Sequence, residues 1–142
     1  MASLIYDKFR LKLADSSTKI NLGSGGDTIK VALVTSSYTP VQATNEFFSQ
    51  VTNEVVGAGY TAGGATLAGQ SYVMVGAVGR FDATDTSWAT SSITARAAVI
   101  YKSTGVAGTS PLIAYIDFGS NKISDGAIFQ ITWNASGILT IT

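Results

Sequence analysis

Residues 88–102 alternate at a period of two. Ile93, Ala95, Ala97, Val99 and Tyr101 share one parity, and Thr94, Arg96, Ala98, Ile100 and Lys102 share the other. Successive side chains on a strand point to opposite faces, so this run predicts the longest strand of the chain. It commits the fold to sheet structure, and the remaining segments follow the same rule. Residues 28–36 place Ile29, Val31 and Leu33 on one side and Lys30, Ala32 and Val34 on the other. That run becomes apolar on both faces toward its end, which predicts a central strand. Tyr38-Thr-Pro40 stops it, because proline donates no ladder hydrogen bond and restrains the residue before it.

Further strands are expected at residues 71–78, followed by a turn at Gly79-Arg80-Phe81-Asp82, and at residues 112–118. Leu112, Ala114, Ile116 and Phe118 share a parity there, and a reversal from Gly105 to Gly108 joins the run to residues 88–102 as a pair. Gly119-Ser-Asn-Lys opens a loop. Residues 128–133 and 138–142 flank Asn134-Ala-Ser-Gly137, the pattern of a closing hairpin with a positive-φ glycine at the end of its turn.

At the start of the chain, Ile5, Asp7, Phe9, Leu11 and Leu13 alternate with Lys8, Arg10 and Lys12. This predicts a strand with one greasy and one basic face. Asp15-Ser-Ser-Thr18 makes a polar break, Ile20 and Leu22 a short continuation, and Gly23-Ser-Gly-Gly-Asp27 a turn. One short helix is expected over residues 44–51, where Thr44 can cap, Glu46 suits the first turn, and Phe47, Phe48 and Val51 have helical spacing. Residues 57–69, rich in glycine, read as a long ordered surface loop of the kind on which contacts are placed. The sum is a single all-β domain over residues 1–142: an antiparallel sandwich or flattened barrel with one short helix and a Gly-rich loop.

Composition narrows the function. The chain has no His and no Cys, and 13% of its 142 residues are charged. The commonest general base, zinc ligand and soft nucleophile are therefore missing. No catalytic residues, cofactor or metal ligands are expected. Asp82 and Asp85, in Phe81-Asp-Ala-Thr-Asp-Thr-Ser, lack the spacing of a calcium loop and read as a solvated turn. Glu54, flanked by Val55 and Val56, reads as a structural anion with Arg80 or Arg96 as partner. The glycines of 57–69 miss both the Walker and the G-x-G-x-x-G spacing. Nine basic and nine acidic residues leave no net charge, so a phosphate backbone has no footprint and nucleic acid is not an expected partner. The first residues show no signal-peptide pattern, no run is long enough to span a membrane, and no membrane partner is expected. The hydrophobic fraction is 46%, high for a free monomer, which points to surface buried against a neighbour.

Several segments in order carry a resemblance. They are Lys30-Val-Ala-Leu-Val-Thr-Ser-Ser-Tyr-Thr-Pro40, Gly59-Tyr-Thr-Ala-Gly-Gly64, Phe81-Asp-Ala-Thr-Asp-Thr-Ser-Trp88, Ile93-Thr-Ala-Arg96 and Ser110-Pro-Leu-Ile-Ala-Tyr-Ile-Asp-Phe-Gly119. Together with Asn53-Glu-Val, Ala65-Thr-Leu67 and Ala98-Val-Ile-Tyr101, they resemble a family of small tailed-bacteriophage virion structural proteins. The resemblance implies a place in the particle, made in the bacterial host cytoplasm, and no catalytic residues. A compact, neutral, unrepeated β domain suits a capsid decoration (cement) protein on the capsid surface, with the major capsid protein and itself, as a homotrimer, for partners. A tail or head-tail adaptor component is the alternative. From another class, a carbohydrate-binding module would use Trp88 or Trp133 with Tyr60. The expected contact residues are Lys8, Arg10 and Lys12 of the basic stripe, and Gly59, Tyr60, Gly63, Gly64 and Leu67 of the loop.

Overall fold

A computed structural model describes residues 2–14 and 19–142. The polar break expected at Asp15-Ser-Ser-Thr18 lies outside them. The described residues form two antiparallel sheets, as expected of an all-β fold. The spine is β6 (Thr86–Lys102) paired along its length with β7 (Leu112–Ile131). Beside them β2 (Ile29–Val34) pairs with β6, β3 (Ala65–Thr66) pairs with β2, and β1 (Leu4–Ile5) pairs with β7. The second sheet runs β4 (Ser71–Val75), β5 (Val78–Asp82), β8 (Leu139–Ile141). One core joins both layers, with Ile29, Val31, Leu33, Ile93 and Ile113 from the first sheet meeting Phe81 and Leu139 from the second.

The alternation of residues 88–102 holds: Ile93, Ala95, Ala97, Val99 and Tyr101 are all buried. β2 is buried on both faces as its composition requires, apart from the half-buried Lys30.

Other segments depart from the sequence reading, each for a physical reason. The expected N-terminal strand is an α-helix, α1 (Asp7–Ala14), after the two residues of β1. Residues 5, 9 and 13 share a face at either period, so the pattern was degenerate. Burial discriminates: Tyr6 and Phe9 are fully buried, while Leu11 is 62% exposed. The helix expected over residues 44–51 is a single 3-10 turn (Phe48–Gln50). Its backbone is committed elsewhere, because the Phe48 amide donates to the Ser110 carbonyl and the Leu112 amide to the Glu46 carbonyl.

The turn expected at residues 79–82 is strand β5, and the chain reverses earlier, at Gly76 and Ala77. The loop expected at Gly119 is an excursion within β7. Ala95 lies opposite Lys122 and Ala97 opposite Asp117, so residues 118–121 stand against Arg96 alone. The closing hairpin is instead an arch. Asn134 and Gly137 make the expected turn, with Gly137 at φ 100°. Its two flanks enter different sheets, however: Ile131 pairs with Thr86 of β6, and Leu139 with Phe81 of β5.

Glycine is required where the 57–69 loop crosses the first sheet. A Cβ on Gly64, at φ +80°, would collide with the Val31 carbonyl oxygen, and one on Gly57 with that of Ser92. Gly105, at φ +88°, faces open space. Gly64→Ala should therefore cost about 2–5 kcal/mol, from left-handed strain plus overpacking, while Gly105→Ala costs about 1–2 kcal/mol. Urea midpoints of the two variants check the difference.

Candidate interaction surfaces

Several of the polar side chains that sequence reading singled out are used inside the fold. Tyr60 turns inward from the glycine loop. The Leu33 amide, on the open side of β2, donates to its hydroxyl at 2.9 Å, and that hydroxyl donates to Glu54 Oε2 at 2.6 Å. Glu54 also accepts the Gly63 amide at 2.7 Å, and the Tyr101 hydroxyl donates to the Gly63 carbonyl at 2.6 Å. Burial and then the neighbouring carboxylate push the Tyr60 hydroxyl far above its usual range, so it remains a donor. The hydroxyl thus occupies the position where a neighbouring strand would supply an acceptor, and the loop is fastened over the sheet edge. Glu54 is a structural anion, but its partners are Tyr60 and Gly63. Arg96 instead donates to Asp117 at 2.8 Å. The Arg80 Nε is buried with no hydrogen-bond partner among the described residues.

The expected contact residues are dispersed. On α1, Lys8, Arg10 and Lys12 project in different directions rather than as one stripe. Arg10 pairs with Asp7 at 3.0 Å on the surface. Lys12 is buried, 2.7 Å from Glu46 and 5.3 Å from the centre of the Phe47 ring. Lys8 is half-buried. In the loop, Leu67 is buried and Gly63 and Gly64 are partly covered, leaving Gly59 exposed.

Asp82 accepts the Ala83 amide, and Asp85 accepts the Trp133 amide at 3.0 Å. These two acids therefore organise the corner into β6. Trp88 and Trp133 are buried, and Tyr60 is anchored by its hydroxyl. The aromatic platform a carbohydrate-binding module would need is not presented by these rings. Among the described residues, no group of three or more His, Cys, Asp or Glu is gathered as for a metal ion.

Two strands carry exposed apolar side chains. Along β4, Val73, Met74 and Val75 are 44%, 62% and 51% exposed. On β7, Ile123 and Ile128 are 71% and 58% exposed beside a groove of about 380 Å³ lined also by Phe118, Phe129, Ile131 and the polar Lys122 and Gln130. The excursion at residues 118–121 shapes that groove, and the Arg96–Asp117 pair pins the excursion, with the Gly119 amide donating to the same carboxylate at 3.0 Å. Sequence reading missed both surfaces. It split the residues of the β7 groove between two separate strands and the loop opened at Gly119, and treated β4 as an ordinary strand; the uncharged run from Gln70 to Gly79 was the available signal. No family model matches the chain, and no curated protein or solved structure matches it significantly.

Two outcomes follow from the internal bonds. Tyr60→Phe strands the Leu33 amide and leaves Glu54 Oε2 with the Gly63 amide alone, and should lower stability by about 1–3 kcal/mol in chemical denaturation. The Arg96 guanidinium holds the Asp117 carboxyl down to about 2 from its usual 3.8. The unfolded chain binds that proton at the usual value, so this contribution is complete above about pH 4 and is lost as pH falls through about 2. The stability gap between the parent and Asp117→Asn should narrow across that window.

Proposed function

We propose that the chain is a tailed-bacteriophage virion structural protein, a capsid decoration protein that stabilises the head shell by binding the major capsid protein. The observation that carries this reading is the pair of exposed isoleucines, Ile123 and Ile128, beside the groove on β7. Ile123 and Ile128 stand exposed on the longest strand, held by a ladder to β6. A rigid apolar strand face is suited to burial against a fixed partner, since little ordering entropy remains to be lost on binding. The resemblance to small virion proteins supports the same class. Zero net charge supports close packing of many copies on one shell, where like-charged subunits would repel. A homotrimer would match the three-fold positions of such a shell.

Purified chain mixed with undecorated shells should co-sediment to a saturating occupancy. Ile123→Ala with Ile128→Ala should weaken binding by about 2–4 kcal/mol, roughly 30- to 1,000-fold, with the thermal midpoint of the free protein little changed. Absence of binding to shells, or gold-labelled antibody found only at the tail, would remove the decoration reading.

A further inference from the structure

The edge of β4 carries an inference independent of any shell. β4 ends its sheet, so among the described residues one side of its backbone has no strand partner. Its ladder to β5 is regular, from Ser71 opposite Asp82 to Val75 opposite Val78. The reversal at Gly76 and Ala77 makes Val75 and Val78 a hydrogen-bonded pair. Antiparallel alternation then aims the amide and carbonyl of Val73 at β5, and those of Tyr72 and Met74 at the open edge. Strand edges that must stay unpaired are usually blunted by a charge, a proline or a bulge. From Gln70 to Gly79 this chain has no charged residue and no proline, and the ladder has no register shift. The other edges differ: β1 and β3 have two residues each, β8 has three, and β7 is interrupted by its excursion.

We propose that β4 is a self-pairing edge, on which a second copy of this chain docks antiparallel and joins the two three-stranded sheets into one. Charge and symmetry select a second copy. An uncharged edge offers nothing for a charged partner to recognise, and two such edges meet without like charges opposed. A two-fold axis at Val73 places Val73 opposite its own copy, at a non-hydrogen-bonded position. Tyr72 then faces Met74 of the second copy, and their outward amides and carbonyls pair. The Tyr72 ring lies low across Gly79, where a Cβ would collide with its hydroxyl. Met74 is left standing out, and a thioether against a ring edge is a favourable contact. The contact is isologous and closes at two copies. Beside a three-fold contact through another surface, it would tie trimers to one another.

The chain has no cysteine, so an introduced thiol is alone. In this register Val73→Cys brings two Cα atoms to about 4.5 Å, within disulfide range. Under mild oxidation it should form a covalent dimer at least tenfold faster than Val56→Cys, whose site is 98% exposed and lies away from the edge. In sedimentation equilibrium Val73→Lys should raise the dissociation constant of the parent protein at least tenfold, with circular dichroism unchanged. A parent protein with the mass of Val73→Lys at every concentration would overturn the proposal, as would Val73→Cys cross-linking no faster than Val56→Cys. If Val73→Lys does not fold, the cysteine comparison decides. Both assays use free protein, so failure to bind shells and failure to self-pair are read separately.

Discussion

From Thr86 to Lys102, β6 holds its ladder to β7 through four register shifts, and the other elements take their positions from that pair. β2 lies along the later half of β6, and β1 attaches to β7 at Ala114 and Tyr115. The second sheet packs Phe81 and Leu139 into the same core. Each shift would leave backbone groups unpaired without a substitute. Inside the core Ser91 and Ser124 supply one, their hydroxyls 2.8 Å apart, with Ser124 accepting the Ile93 amide at 3.1 Å. At the excursion the Asp117 carboxylate, held by Arg96, accepts the Gly119 amide at 3.0 Å. The ladder stays continuous because polar side chains are placed where its backbone cannot pair.

The same economy governs the loop over β2. Beyond the two residues that β3 covers, the edge of β2 is closed by the backbone of residues 53–55 and by the Tyr60 hydroxyl, which Glu54 holds in place. Outward on β4 stand backbone edge and apolar side chains, and on β7 Ile123 and Ile128 stand exposed among Lys122, Asp125 and Gln130. A surface of that kind is selective through shape and strand register more than through charge, which suits contact between folded subunits.

Sequence reading located the strands whose alternation was unambiguous. Residues 88–102 and β2 fell where their periodicity placed them, because only a strand puts those side chains on consistent faces. It failed where two periods coincide. Ile5, Phe9 and Leu13 satisfy both a strand and a helix, and what separates them is the burial of Tyr6 and the Lys12–Glu46 pair across 34 residues of chain. It failed again where a turn signal was real but local. Gly119 does take positive φ, yet the strand resumes beyond it. Asn134 to Gly137 is a turn, yet Trp133 is tied to Thr84 and Asp85, so the two flanks separate. The candidate surfaces were less legible than the fold, since whether an apolar residue is covered depends on elements distant in sequence.

That distance also bears on how the molecule comes into being. Leu4 meets Tyr115, and Arg80 meets Thr140, so the sheets close only after long stretches of chain have been gathered in. Closing such large loops before any pairing rewards them makes assembly slow compared with a helical domain of equal size. The β4–β5 hairpin needs no such wait, since its reversal is two residues long. It can form while β8 is still absent, and for that interval it is sticky along both sides. Unfinished copies crowded together would tend to knit through it, so the yield of correctly folded protein should depend on how dilute the nascent chains are kept.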